Sequence, residues 1–278
     1  MQAENQDFCR PRKWKLAIPL LGLASFLFSP PPADGADIAS GDTLRAVYLR
    51  TNPAQAIRDP ASGQVRGASA SLARELAARH KLSLELKPLS GPPDVIEAVR
   101  SGAADIGFVA YEATRLGTVA FSQTYMLVRQ SFLVPECSPI KVAGEVDAAG
   151  VRVGGTRNDS ITLCMKRIFK YAVVAELASD GDVAAVLADG TIDAFAANRQ
   201  RLTTLSNTLS DTRLLPDDLF SVPQAIIVPL ERPPALEAVN AFLDDVRASG
   251  FLQRVIEDGG AIGVVLPPDG RQRYGCPG

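Results

Sequence analysis

Apolar and polar positions along the chain fall into a strand–helix rhythm. Leu44 to Leu49 alternates and is β-rich, which predicts a first strand. Asn52-Pro53 breaks it, and Asp59-Pro60-Ala61-Ser62-Gly63 is a loop rich in turn formers. From Gly67 into Ala68–His80, Leu72, Leu76 and the alanines share one face, which predicts a helix. Leu82 to Leu86 alternates strictly, a second strand. A short amphipathic helix starts at Asp94, with Val95, Ala98 and Val99 at helical spacing. It ends at Ser101-Gly102, because glycine takes the left-handed conformation cheaply. Asp105 to Ala110 is a short, mostly apolar run, suited to a strand buried on both faces. Strand, helix, strand, helix, strand predicts a parallel α/β half-sheet. After it the chain turns polar and carries one cation, Arg115, where ligands of open α/β sheets are met, past the carboxyl ends of strands.

The second half repeats the theme. Phe132-Leu133-Val134 predicts a strand after Tyr125, and Val151 to Gly154 another. Asn158-Asp159-Ser160 offers caps to a helix running through Tyr171, with Ile161, Met165, Ile168 and Ala172 inward. Val173 to Ala175 predicts a strand. Asp182 to Phe195 then matches Asp94 to Phe108 as helix, Gly-x-x-Asp, strand, 88 residues further on. The echo predicts two similarly wound lobes. Ala225 to Val228 returns to strand, a helix follows Pro233-Pro234 as far as Ser249-Gly250, and Phe251 to Ile256 forms a last short helix. The tail from Pro267 reads as loose.

The N-terminus bears on where the protein works. Arg10, Arg12, Lys13 and Lys15 precede an apolar run of 13 residues, Leu16 to Phe28, followed by the helix-breaking SPPPADGA. That order is a secretory signal peptide, expected to span residues 1–36. The run is too short to cross a bilayer comfortably. At 278 residues and 46% hydrophobic, the chain is long enough for one large or two medium domains. The net charge is −2, or −3 without the signal segment (25 Lys and Arg against 28 Asp and Glu), so no basic surface argues for nucleic acid. No other segment approaches transmembrane length, and a soluble exported protein is expected.

Three cysteines remain after export: Cys137, Cys164 and Cys276. In an oxidising compartment a pair can form, and Cys137 with Cys164 is the favoured choice, leaving one over. The single histidine, His80, sits at a predicted helix end and reads as structural. With no CxxC spacing and one histidine, neither zinc nor another cofactor is expected.

The order and spacing of these landmarks resemble the family-3, polar amino-acid type, extracellular solute-binding proteins of ABC importers. The landmarks are Gly67 with its helix, Ala98 to Asp105, Arg115 with Phe121-Ser122, Ser138-Pro139-Ile140, Val151 to Gly154, Gly190 to Ala194, and Ala248 to Phe251. The resemblance covers nearly the whole exported chain. It implies a type II periplasmic binding protein fold, α/β, with two similar lobes joined by a two-strand hinge. Lobe 1 is expected over 37–127 and 226–278, and lobe 2 over 128–225. It implies closure over a small polar or anionic solute, delivery to an ABC permease in the inner membrane, a periplasmic monomer, and no catalysis.

The resemblance also assigns candidate ligand residues. The family's carboxylate-gripping arginine lies six residues before the Phe-Ser pair, here Arg115, whose guanidinium suits a carboxylate. Ser160 matches the family's hydroxyl at a helix start, where free N–H groups favour an anion. An aspartate that takes the ligand's ammonium is replaced by Asn198, followed by Arg199, and a neutral amide cannot supply that charge partner. Asp159 takes the usual glycine position. Asn52, Asn198 and Gln224 are candidate hydrogen-bonding partners, and Arg199 a second cation in the cleft. The expected ligand is a carboxylate without an α-ammonium. The other readings are a ligand sensor for a membrane partner, and a dehydratase-type enzyme with Asp159 as its one nominable acid or base.

Overall fold

The computed structural model describes residues 38–178, 183–271 and 275–276. The expected signal peptide, and Asp182 at the start of the echo, lie outside the described residues.

The chain runs β1 (Thr43–Leu49), β2 (Ile57–Arg58), β3 (Val65–Arg66), α1 (Ala68–Arg79), β4 (Ser83–Leu89), α2 (Pro92–Arg100), β5 (Ile106–Ala110) and β6 (Ala120–Pro135). It continues with β7 (Arg152–Thr156), α3 (Ser160–Ile168), β8 (Val173–Leu177), α4 (Val183–Ala188), β9 (Ala194–Asn198), α5 (Arg199–Thr208) and β10 (Thr212–Leu214). It ends with β11 (Phe220–Val228), α6 (Pro233–Ala248), α7 (Phe251–Asp258) and β12 (Val264–Val265). The main strand order is β4-β1-β5-β11-β6-β9-β7-β8. β4, β1 and β5 are parallel, as are β9, β7 and β8. Between these halves β6 and β11 run antiparallel to each other, from Phe220 opposite Gln130 to Val228 opposite Ala120. These are the two crossover strands of a two-lobed fold.

Each half has its own core on both sheet faces. In the first, Phe108 of β5 packs with Leu72, Leu76, Tyr125 and Leu243, while its neighbour Val109 packs oppositely with Val95, Val99 and Ile227. In the second, Ala196 of β9 joins Val153, Ile161 and Met165, while Phe195 joins Leu133, Leu187 and Leu202. Apolar runs buried on both faces are what parallel sheets require.

The echo has a physical cause. In the first lobe Arg45 binds Asp105 three times, through its backbone N–H (2.9 Å), Nε (3.0 Å) and Nη2 (2.7 Å). In the second, Arg152 binds Asp193 through the same three groups at 2.8, 3.2 and 3.1 Å. Gly102 and Gly190 both take left-handed backbone, with φ of 74° and 70°, where the preceding helix stops. Each aspartate thus ties the entry of one strand to the neighbouring parallel strand. At Asp193 burial opposes ionisation, but the hydrogen bonds from Arg152 outweigh it and hold the carboxyl below the usual carboxylate range.

Several expectations need correction. Phe132 to Val134 is no separate strand but the far end of the 16-residue β6. Its polar middle reads as loop in sequence because the partners are distant. Ser122 Oγ accepts the Ile226 N–H at 2.9 Å, and Gln123 binds Asn240 and Asp244 of α6 at 2.8 Å each. The helix from Ser160 stops at Ile168, short of Tyr171. There the Asp147 carboxylate takes the backbone N–H groups of Lys170, Tyr171 and Ala172, diverting the chain. The tail from Pro267 is not loose throughout: the Gly270 carbonyl accepts the Thr124 N–H of β6 at 2.7 Å, and Cys276 is disulfide-bonded; ahead of it, β12 pairs with β6, Val264 opposite Val128. The disulfide joins Cys164 to Cys276, with Cα atoms 5.5 Å apart, and Cys137 is exposed and free. The returning tail supplies the partner that the sequence reading sought in Cys137. No helix among the described residues is long and apolar enough to cross a membrane.

Candidate functional site

The strand ends converge on one small cavity between the lobes. β1 delivers Leu49 and, after a turn, Asn52; β5 ends at Ala110 and β9 at Asn198. The crossovers contribute Gln130 from β6 and Val222 and Gln224 from β11. α3 contributes its first turn, Ser160 and Ile161, with Asp159 before it, and α5 contributes Arg201. The cavity measures about 40 Å³, room for no more than a few waters. The lobes therefore stand closed.

Cross-cleft bonds hold that closure. Arg115 is buried in the short turn of 3₁₀-helix, Ala113–Arg115, that follows β5. Its Nη1 donates to the Ala110 carbonyl at 2.8 Å, and its Nη2 crosses to the Asn158 carbonyl at 2.8 Å. Asn158 presents that carbonyl from left-handed backbone, φ 64°, which asparagine tolerates. Glu112, 4% exposed, takes Arg167 of α3 at 2.8 Å across the same gap. Asn198 Nδ2 donates to Asn52 Oδ1 at 3.3 Å.

The second lobe's side of the cavity is charged. Arg201, 6% exposed, donates to Asp159 at 2.9 Å and to Thr156 Oγ1 at 2.7 Å, and its guanidinium lies 5.6 Å from the Phe195 ring centroid. Burial pushes the Asp159 carboxyl up, opposed by Arg201 and then Arg115. Burial lowers both guanidiniums, opposed at Arg201 by Asp159 and at Arg115 by Glu112 and then Asp159. Asp159 precedes α3 but makes no side-chain cap to it. Ser160 and Ile161, the first turn of α3, line the cavity, and Ser160 Oγ is buried with no hydrogen-bond partner. Gly155 makes room for this packing, since a Cβ there would meet Thr162 Oγ1 at 2.3 Å.

The amides are pinned by neighbours. Gln224 accepts from Gln55 Nε2 at 2.7 Å, and Asn198 caps α5 by accepting the Arg201 N–H at 2.9 Å. Of the seven candidates from sequence, Asn52, Asp159, Ser160, Asn198 and Gln224 meet at the cavity. Arg115 lies at its edge, beside Ala110. Arg199 does not reach it: its side chain turns to Asp218 at 2.6 Å and to the Asp217 carbonyl at 2.7 Å. As first residue of α5 it points away from the cleft, and Arg201 is the cation of that helix that faces inward. Sequence reading missed Arg201 because α5 is polar and was not recognised as a helix. Asn198 as a helix cap was the available signal, because it places residue 201 in the first turn. Gln130 and the Glu112–Arg167 pair were missed as well.

Comparison with solved structures shows the same fold. An amino-acid ABC transporter substrate-binding protein, AbpA of Streptococcus pneumoniae, bound to L-arginine, is 21% identical with a TM-score of 0.66, covering 81% of this chain and 97% of that one. The ancestral amino acid-binding protein AncCDT-1, a precursor of cyclohexadienyl dehydratase, is 20% identical with a TM-score of 0.67, covering 81% and 97%. A putative ABC-transporter binding component from Wolinella succinogenes, complexed with lysine, is 21% identical with a TM-score of 0.67, covering 78% and 95%. No curated protein matches in sequence. The sequence profile of the bacterial extracellular solute-binding proteins, family 3, matches residues 44–258, which takes in both lobes and every residue of the cavity. This chain belongs to that family.

Proposed function

We propose that this protein is a periplasmic receptor that captures a small polar, carboxylate-bearing solute between its lobes and delivers it to an ABC permease in the inner membrane. The solute is an organic acid or an amino-acid derivative. The observation that carries this reading is the start of α3: Ser160, which lines the cavity, has its Oγ buried without a partner, and the two residues before it engage guanidiniums, Asn158 that of Arg115 and Asp159 that of Arg201. A helix N-terminus flanked by cations favours an anion. Asp159, the one carboxylate that lines the cavity among the described residues, is engaged by Arg201. Asn198 is neutral and already bonded to Asn52, so a ligand's α-ammonium finds no free countercharge there. The ligand residues are Arg115, Ser160, Asp159, Asn52, Asn198 and Gln224. The lobes are 37–127 with 226–278, and 128–225; they close by bending β6 and β11, and the receptor works as an exported monomer without catalysis.

A thermal-shift screen over organic acids, amino acids and uncharged osmolytes tests this reading. A ligand at a hundred times its Kd stabilises the folded state by about 2.7 kcal/mol, a rise in Tm of about 5–10 °C for a chain of this size. The expected hits carry a carboxylate. Hits confined to solutes without one would overturn the proposal.

A further inference from the structure

The Cys164–Cys276 disulfide joins parts of the molecule that the hinge separates. Residues 160, 164 and 167 share one face of α3, at spacings of four and three, and that face looks across the cleft. Ser160 meets the cavity there and Arg167 meets Glu112. Cys164, between them, is fully buried against Cys276.

The chain leading to Cys276 belongs to the first lobe. Val264 and Leu266 pack against the first lobe's core. The Gly270 carbonyl accepts the Thr124 N–H at 2.7 Å. Arg271 is ion-paired with Asp244 of α6, and Gly270 lies against the Arg247 guanidinium. Just before β12, the Ile262 N–H also donates to Gln200 of α5 at 2.7 Å, so this strand end lies beside the hinge. Five peptide units separate Arg271 from Cys276. They reach at most about 18 Å when fully extended.

We infer that the Cys164–Cys276 disulfide is a covalent leash across the hinge that limits how far the lobes open. Opening by bending β6 and β11 carries α3 away from Glu112. With the leash intact, α3 moves only as far as the short tail allows. The leash thereby removes widely open states from the ligand-free ensemble and leaves the closed form more populated. It acts whatever the solute is, so it stands independently of the ligand assignment. An oxidising compartment keeps it formed.

Small-angle scattering of the ligand-free, exported form tests the leash. Three samples are compared: oxidised, treated with dithiothreitol, and Cys276→Ser. Dithiothreitol supplies two electrons and two protons, so the S–S bond breaks into two thiols while the reagent closes to its cyclic disulfide. Thiol counting identifies the state of each sample, and circular dichroism establishes that each is folded. The expected result is one free thiol in the oxidised sample, a compact radius of gyration there, and a larger one shared by the other two. Backbone amide exchange at 158–162 is expected to rise about fivefold or more on reduction, a typical size for coupling between distant parts. Superimposable scattering and exchange before and after cleavage would overturn the leash, as would three free thiols in the untreated protein. If Cys276→Ser fails to fold, the reduced native chain, folded by the same criterion, decides between these outcomes.

Discussion

Replacing Arg115 with alanine is expected to weaken solute binding by about a hundredfold or more while leaving the protein folded. Truncating one partner of a buried, charge-assisted contact typically costs 2–5 kcal/mol, and about 2.7 kcal/mol is a hundredfold. The expectation lies above the bottom of that range because Arg115 has two tasks. Its guanidinium charge lies at the edge of the cavity, and its Nη2 also ties the first lobe to the Asn158 carbonyl at 2.8 Å. Alanine removes both the cation and the cross-lobe bond, so ligand and closure suffer together. Arg115→Lys separates them, because lysine keeps the charge but lacks the planar fork. Calorimetric titration with the best ligand reads both variants. A loss below threefold in Arg115→Ala would make Arg115 a structural staple only, held by Ala110 and Asn158.

Replacing Asp105 with alanine is expected to lower the unfolding free energy by about 3 kcal/mol, against about 1 kcal/mol for Asp193→Ala. The two aspartates make the same three bonds in their lobes, but their surroundings differ. The Asp105 side chain is 1% exposed, whereas Asp193 is 35% exposed beside an Arg152 that is 47% exposed. Asp105 also lies 3.6 Å from a second cation, Arg232. Removing it takes the carboxylate from the Arg45 guanidinium and leaves the Arg45 backbone N–H without its acceptor at a buried strand entry. At Asp193 water replaces most of what the carboxylate provided. Urea denaturation of the two variants measures the difference, and equal losses would contradict this account of the echo.

That echo was readable in sequence because it is local. A helix, its glycine stop and an aspartate entering a strand repeat with fixed spacing, and each step has a short-range cause. The same holds for the helices from Ala68 and Pro233, whose apolar stripes declare themselves, and for the strand ends that gather at the cavity. What remained hidden depends on long-range partners. Ser122, Gln123 and Thr124 look like loop residues until α6 and β11 are laid against them. The helix from Ser160 ends where Asp147, over twenty residues upstream, captures its next N–H groups. Cys164 finds Cys276 only because the chain ahead of it, at Val264, Val265 and Gly270, lies back along β6. At the site, the cation expected at Arg199 is Arg201: once Asn198 caps α5, helical geometry turns one inward and the other toward Asp218. A shift of two residues along a helix turns a side chain to the opposite face, which sequence spacing alone does not resolve.

The claim that a carboxylate is seated at the start of α3 is tested most directly by titrating the purified, ligand-free protein with its best acidic ligand and, in parallel, with that ligand's neutral primary amide. The amide keeps the shape and removes the charge that Arg115, Arg201 and the α3 N-terminus are arranged to meet. The account predicts that the acid binds at least about a hundredfold more tightly, the scale of a desolvated charge pair. Equal affinity for the two, or tighter binding of the amide, would contradict it.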